Sequence, residues 1–399
     1  MSVILVTKVL RVGLDLRPTE EGFKSHFGRG IGRYAAELIR LIPKVELEGV
    51  TIVPLSGDKL RGTLFERKLI AALPAGRETV ESQVCLPRRL HKAGIDLCHF
   101  LSHGDAPAWG AFPNIVTVHD LIPLKFPELY RADNENWRYH LGRYLELGAI
   151  KRARGILTVS EVTKRDVVEL LGVDPEKIIV TYNAADGRFV TSARSMVERA
   201  GERDRARDEL SLPKEIPLVL YVGGIDPRKN VEFLLETFRE VYDHAEGVKP
   251  KLLFVGRHDG DKFYPRIKRK IEELSLEPAL IQLGFFPDEQ LPTLYKAADL
   301  FLFPSLYEGF GLPALEGALC GVPVVAGRNS AMPEVLGEEY PNLLPDGDRS
   351  AWVRRIIALL RSEELRFETA QSALRHVPRF SWQRTAEQTV QAYLKFGAR

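Results

Sequence analysis

The sequence is 399 residues long, 45% hydrophobic and 28% charged, with a formal net charge of +2. That length allows two domains, each with its own core, and that charge is too small to argue for a nucleic-acid partner. Its three cysteines, Cys85, Cys98 and Cys320, lie far apart with no CxxC pair, which disfavours zinc or thioredoxin-like chemistry and fits a reducing compartment.

The opening run, 1–11, is apolar but broken by Lys8 and Arg11. It is too interrupted for a signal-peptide core and reads as a first strand. No apolar run reaches the roughly 18 residues a membrane span needs. The expectation is a cytoplasmic protein, peripheral to the inner face of the membrane at most. Strand-like apolar runs then alternate with helical patterns. Strands are expected near 9–16, 50–55, 97–100, 115–118, 156–159 and 178–181, with helices over 32–42 and 137–152. After a charge-rich stretch, further strands are expected near 218–222, 251–255, 281–283, 300–303, 322–326 and 342–344, with helices over 230–242, 264–274 and 287–298. This alternation predicts an α/β protein with open parallel sheets. The stretch 191–215 is dense in Arg, Glu and Asp and reads as a linker with a solvated helical piece. The expected domains are therefore 1–190 and 216–380, with an amphipathic closing helix over 381–399. Ligands of such sheets bind at the carboxyl ends of strands, so a site is expected in a central cleft faced by both domains.

The most informative stretch is Glu308-Gly-Phe-Gly-Leu-Pro-Ala-Leu-Glu316, which follows one strand-like run and opens a helix. A glycine turn at a helix start offers free backbone N–H groups to an anion. Two carboxylates flank the same turn, and a carboxylate only accepts hydrogen bonds, so it suits the hydroxyls of a sugar or ribose. The turn thus points to a ligand with both phosphate and sugar. Gly223-Gly-Ile-Asp-Pro-Arg-Lys-Asn230 has two glycines after a strand, then Arg228 and Lys229 before a helix that Asn230 is placed to cap. Two cations there suit a diphosphate; alone, the same pattern fits an ordinary turn.

In the first half, Gly28-Arg-Gly-Ile-Gly32-Arg-Tyr34 brings glycine N–H groups to a helix start but is not a dinucleotide fingerprint. His119 and Asp120 end a strand, so His119 either hydrogen-bonds a reacting sugar or is a satisfied histidine under a loop. His99 and His103 lack a third ligand at suitable spacing for a metal. Asn183 either caps a turn or faces the cleft. No P-loop, no G-x-S-x-G elbow and no acidic pair for a divalent metal is present, so neither a metal nor a cofactor is expected.

These residues resemble the retaining glycosyltransferases of GT-B fold, the large family four (glycosyl transferases group 1). The resemblance is strong over 218–336, where Glu308 and Glu316 look like the family's E-x7-E motif. It is looser through Gly30-Ile-Gly-Arg-Tyr34, Thr117-Val-His-Asp120 and Thr158-Val-Ser160. It implies a GT-B fold with two Rossmann-like domains, the first on the acceptor side and the second binding the nucleotide sugar. It also implies that Glu308 lies beside the donor sugar and that the amides of Gly309, Phe310 and Gly311, with Leu312, touch sugar or diphosphate. Glu316 would bind ribose hydroxyls, and Arg228, Lys229 and the Gly223–Gly224 turn the diphosphate. His119 would contact the transferred sugar, while Gly30 and Gly32 would line the phosphate side. Many members carry Arg at the position that is Gly224 here, which shifts leaving-group stabilisation towards Arg228 and Lys229.

The expected activity is transfer of a hexose, mannose or glucose, from a UDP- or GDP-sugar to a hydroxyl of a glycan or lipid-linked acceptor, as in bacterial surface-polysaccharide enzymes. Rival readings are an epimerase or phosphorylase on this fold, and a non-catalytic sugar-nucleotide binder. The irregular, Arg-rich 57–90 is a candidate acceptor or membrane contact. Arg131, Arg138, Arg143, Lys151, Arg152 and Arg154 either face an anionic lipid carrier or decorate a solvated helix.

Overall fold

The computed structural model describes residues 9–21, 30–45, 48–60, 63, 77–109, 112–130 and 137–397. Lys8 and the run before it, Gly28, most of 61–76, Arg131 and the Arg138 side chain lie outside the described residues. The chain divides into two compact units, Met1–Asn183 with Ser381–Arg399, and Ala184–Phe380.

The first unit holds a six-stranded sheet, β1 (Leu10–Asp15), β2 (Val50–Leu55), β3 (Leu97–Phe100), β4 (Asn114–Val118), β5 (Gly155–Thr158) and β6 (Ile178–Val180), in the order β2-β1-β3-β4-β5-β6. Every pairing is parallel. Every residue of β3, β4 and β5 is buried. That is why these strands show no alternation of buried and exposed positions: helices cover both faces of a parallel sheet. Helix Glu161–Leu171 shows how local sequence sets an element. Ser160 caps it by accepting from Thr163 N–H, and Gly172 ends it in a left-handed conformation at φ +66°.

The expected closing helix forms over Trp382–Gly397 and belongs to this first unit, far from its neighbours in sequence. Its buried face carries Trp382, Tyr393 and Phe396. Thr385 Oγ1 donates to Tyr182 O, and Tyr393 OH shares a 2.7 Å hydrogen bond with His99 Nδ1.

The second unit repeats the plan with β7 (Leu218–Val222), β8 (Lys251–Val255), β9 (Leu280–Gly284), β10 (Leu300–Phe303), β11 (Val324–Gly327) and β12 (Leu343–Leu344). The order β12-β11-β10-β7-β8-β9 is doubly wound, with its reversal between β7 and β10. Such a switch point leaves a crevice at the carboxyl ends of the two strands, because their following loops run to opposite faces.

The stretch expected as a linker differs. Ala184 already belongs to the second unit, and Met196–Glu209 is a helix of it. Arg199 donates to Gly321 O, Lys296 O and Ala298 O at 3.0–3.1 Å. Arg207, 1% exposed, donates to Ala297 O and pairs with Asp299 at 2.6 Å. These carbonyls lie at or just beyond the C-termini of helices Leu291–Ala297 and Leu312–Leu319. Helix C-termini carry orphan acceptors and partial negative charge, which guanidinium groups satisfy. The expected helical piece thus forms and is exposed over much of its surface, but its arginines pack it into the second unit.

One buried polar group in the first unit gives a pH prediction. His99 is fully buried between Thr117 Oγ1 (2.8 Å) and Tyr393 OH, and burial, with a smaller push from His119, brings its pKa from 6.5 to about 3. The fold holds it neutral, whereas the unfolded chain protonates it near 6.5. Below that pH the unfolded state binds more protons. The stabilisation is thus complete above pH 6.5 and is lost as pH falls towards 3, by about 1.4 kcal/mol per unit. Urea unfolding at pH 7.5 and 5.0 should show a loss of about 2 kcal/mol from this group. The His99→Gln variant should lose less than the native protein by that amount.

Candidate active site

Two loops flank the switch point. After β7 come Gly223 and Gly224, the short 3-10 turn Pro227–Lys229, and helix Val231–His244. Asn230 precedes that helix as expected but makes no side-chain cap bond. Its backbone is left-handed at φ +54°, a conformation asparagine tolerates, and that turns the side chain away from capping.

After β10 the chain returns to the first loop. Leu306 N–H donates to Arg228 O at 2.8 Å, and Arg228 Nη1 donates to Tyr307 O at 2.9 Å. Lys229 Nζ lies 2.6 Å and Arg228 Nη1 2.7 Å from the same oxygen, Glu308 Oε1. Asp226 stands 3.4 Å from Arg228 Nε, and the Lys229 ammonium sits 5.3 Å over the Phe303 ring. Burial pushes the Glu308 carboxyl up, but Lys229 and then Arg228 outweigh it and hold it below its ordinary range. Burial wins at Lys229, whose pKa is lowered despite Glu308. Arg228, Lys229 and Glu308 are thus brought together as a charged cluster. Arg228 offers a fork and Lys229 a point charge to an anion, and Glu308 offers lone pairs to hydroxyl donors.

Gly309, Phe310 and Gly311 lead into helix Leu312–Leu319. Gly311 is at φ +95°, and a Cβ there would stand 2.2 Å from Met332 Cε. Phe310 is buried, its ring edge-on against Phe380. Leu312 opens the helix, and Glu316 lies within it, 3% exposed, accepting from Tyr295 OH at 3.2 Å.

The remaining expected site residues belong to the first unit. Gly30 and Gly32 form the first turn of helix Gly30–Leu41. His119 is buried, with Nε2 2.9 Å from Leu101 O and its ring edge-on to Tyr34 at 4.9 Å. A carbonyl only accepts, so His119 Nε2 carries a proton. Asn183, which ends the first of this unit's two segments, is buried. His99 and His103 do not converge: His103 faces Glu146 at 2.9 Å. Among the described residues no group of three or more His, Cys, Asp and Glu is arranged to hold a metal ion.

Several supporting residues escaped the sequence reading. Ser330 Oγ accepts from Glu308 N–H at 3.1 Å, from a backbone at φ +44°. Met332 abuts Gly311. His258 Nε2 donates to Gly223 O at 3.2 Å, and Tyr221 OH donates to Gly224 O. Only His258 carried a usable signal, its place just after an apolar strand run. The others required the topology.

Two doubly wound parallel units of this kind define the GT-B class. Residues 202–376 match the family model described as glycosyl transferases group 1, and residues 28–188 match that described as Glycosyltransferase Family 4. Together the two models take in most of the chain, and it belongs to this family of glycosyltransferases. The O-antigen chain mannosyltransferase B of Escherichia coli is 29% identical over 91% of this chain and 95% of its own length. The D-inositol 3-phosphate glycosyltransferase of Corynebacterium efficiens is 31% identical over 70% of this chain, which spans 65% of that relative. Among solved structures, Anabaena HepE in complex with UDP and glucose superposes with a TM-score of 0.69 at 17% identity, covering 97% of this chain and all (100%) of that one.

The Gly311 contact is testable. Gly311→Ala is expected to cost about 1–3 kcal/mol of stability from backbone strain and overlap. Pairing it with Met332→Ala should cost less than the sum of the two single losses, because the second change removes the atom struck. Denaturant unfolding of the four proteins measures this; strict additivity would contradict the geometry.

Proposed function

We propose that the chain is a retaining glycosyltransferase that moves a hexose from a nucleoside diphosphate sugar to a hydroxyl of a glycan or lipid-linked acceptor. The observation that carries this is the convergence of Lys229 and Arg228 on Glu308 at the switch point, beside the Gly309–Gly311 turn. Cations there meet the charge of a departing diphosphate, and glycine amides and carboxylates meet its phosphate and sugar oxygens. HepE, of the same fold, was solved with UDP and glucose, which supports a UDP- or GDP-linked donor. Mannose is the favoured hexose, because the relative matched over most of its own length is a mannosyltransferase of an O-antigen chain.

In this reading the bond from the anomeric carbon to the diphosphate oxygen breaks, and its electron pair leaves with the diphosphate. The acceptor oxygen bonds the same face of that carbon and passes its proton to the departing phosphate oxygen. Arg228 and Lys229 stabilise the charge as it develops, Glu308 orients the sugar, Glu316 holds the ribose and His119 contacts the transferred sugar. Preorganised charge supplies the rate gain without a covalent nucleophile.

Lys229→Ala should therefore lower kcat by about 100-fold or more, measured by diphosphate release with acceptor present. Full activity in that variant would remove the site from consideration. Donor incubated alone should give only slow hydrolysis; epimer formation, or tight nucleotide binding with no turnover on any acceptor, would favour the rival readings.

We also propose a peripheral membrane contact for a lipid-linked acceptor. Among the described residues no helix is long and apolar enough to cross a membrane. Helix Trp137–Arg152 exposes Trp137 (64%) and Tyr144 (59%) seven residues apart, on one face, and ends in Lys151 and Arg152. Exposed aromatics with adjacent cations suit an anionic lipid surface. The double variant Trp137→Ser, Tyr144→Ser should sediment several-fold less with phosphatidylglycerol vesicles and keep its turnover of a soluble acceptor. Equal sedimentation of both proteins would exclude this face.

A further inference from the structure

His258 lies just past β8, buried, with its ring tilted against Phe254 at 4.4 Å and nearly parallel to Tyr264 at 6.4 Å. Its Nε2 lies 3.2 Å from Gly223 O. A carbonyl oxygen has no proton to give, so Nε2 is the donor. The Gly223–Gly224 peptide is trans, and in a trans peptide the C=O and N–H point in opposite directions. With Gly223 O turned to His258, the Gly224 N–H is turned away from it. Gly224 is exposed, and among the described residues nothing accepts from its N–H. Its own carbonyl is held by Tyr221 OH. Both carbonyls of the turn are thus tied back by side chains.

This orientation needs a restraint. Two successive glycines place no Cβ in the way of a peptide flip. A flip would present the negative end of Gly223 C=O where Gly224 N–H now stands. The turn leads directly to Arg228 and Lys229. The approach of His258 to Gly223 is also built into β8: a Cβ on Gly256 would stand 2.0 Å from Gly223 O and 2.5 Å from His258 Nε2. The strand end has been kept bare so that this contact can form.

We infer that His258 is a positioning residue for the donor diphosphate, locking the Gly223–Gly224 peptide so that its N–H and not its carbonyl faces the phosphates. This rests on the reading of the Gly223–Lys229 loop as the diphosphate site. The test is calorimetric titration of the wild-type protein, His258→Phe, His258→Gln and Lys229→Ala with UDP and GDP, and with uridine and guanosine as phosphate-free controls. Phenylalanine keeps the stacked ring and removes the donor; glutamine keeps a donor at similar reach.

The expected result is that His258→Phe keeps the wild-type melting temperature and weakens the nucleoside diphosphate by about 10-fold. Affinity for the nucleoside should hold, and His258→Gln should recover most of the loss. A folded His258→Phe protein that binds the diphosphate as tightly as wild type, while Lys229→Ala does not, overturns the inference and leaves the site standing. Wild-type protein that binds neither diphosphate overturns both. Should the Phe variant not fold, His258→Leu, which also lacks a donor, takes its place: loss of diphosphate affinity with nucleoside affinity kept upholds the lock, and wild-type affinity or equal weakening of nucleoside and diphosphate overturns it.

Discussion

The second unit is organised around the need to keep charge at the mouth of a parallel sheet. Lys229 is buried enough that its ammonium form is disfavoured, and so is the carboxylate of Glu308 by its own burial. Neither charge is tenable alone in that position, because an unpaired buried ion costs several kcal/mol. They are held ionised by each other, with Arg228 on the same carboxylate oxygen. This pairing is possible only because β7 and β10, far apart in sequence, are neighbours at the switch point. The two loops are then latched through backbone, Leu306 N–H to Arg228 O. The same contact that makes the cluster stable makes it fixed, and fixed charge is what stabilises a developing anion without reorganisation.

A second electrostatic economy supports the opposite end of that sheet. Asp299 stands at the start of β10, where it accepts from Leu218 N–H and pairs with Arg207. Arg199 and Arg207 also satisfy carbonyls near two helix C-termini. Short helices that end beneath a sheet leave orphan acceptors away from water, and guanidinium groups are suited to them because each offers several donors in a fixed plane. Strand β10 therefore begins at one ion pair and leads to another, in Asp299 and Glu308. Its four apolar residues are completely buried between them.

The fold was legible in the sequence because its central strands are buried on both faces. The run Leu300-Phe-Leu-Phe303 has no competing helical reading, and all the expected strands appear with end shifts of at most two residues. The helix expected over 287–298 is shorter, Leu291–Ala297, since Pro287 and the residues after it form a turn. What misled was composition at 191–215. A helix of Arg, Glu and Asp has no apolar stripe to betray its packing, and its real partners are backbone carbonyls, which no side-chain pattern records. Asn230 misled for a related reason: its type suits a cap and a left-handed turn equally, and only the backbone angle decides. At the candidate site the residue types were readable from Glu308, Arg228 and Lys229. Their mutual pairing was not, because it depends on strand order. Ser330 and Met332 were invisible, because they support the loop through one hydrogen bond and one van der Waals contact.

The site combines two kinds of positive potential that differ in what they require. A lysine or arginine carries full charge and must be neutralised while no anion is bound, which Glu308 and Asp226 do here. The field they offer is therefore a difference between nearby opposite charges, and it responds to whatever displaces the carboxylate. A peptide N–H carries only a partial charge and needs no counter-ion, but it points usefully only if its peptide cannot turn over. Glycine gives the backbone access and forfeits that restraint, so the restraint has to come from side chains on the neighbouring strands. Tyr221 and His258 supply it by holding the two carbonyls. A loop with two glycines is in this sense not a loose element: side chains from β7 and from just past β8 hold its carbonyls.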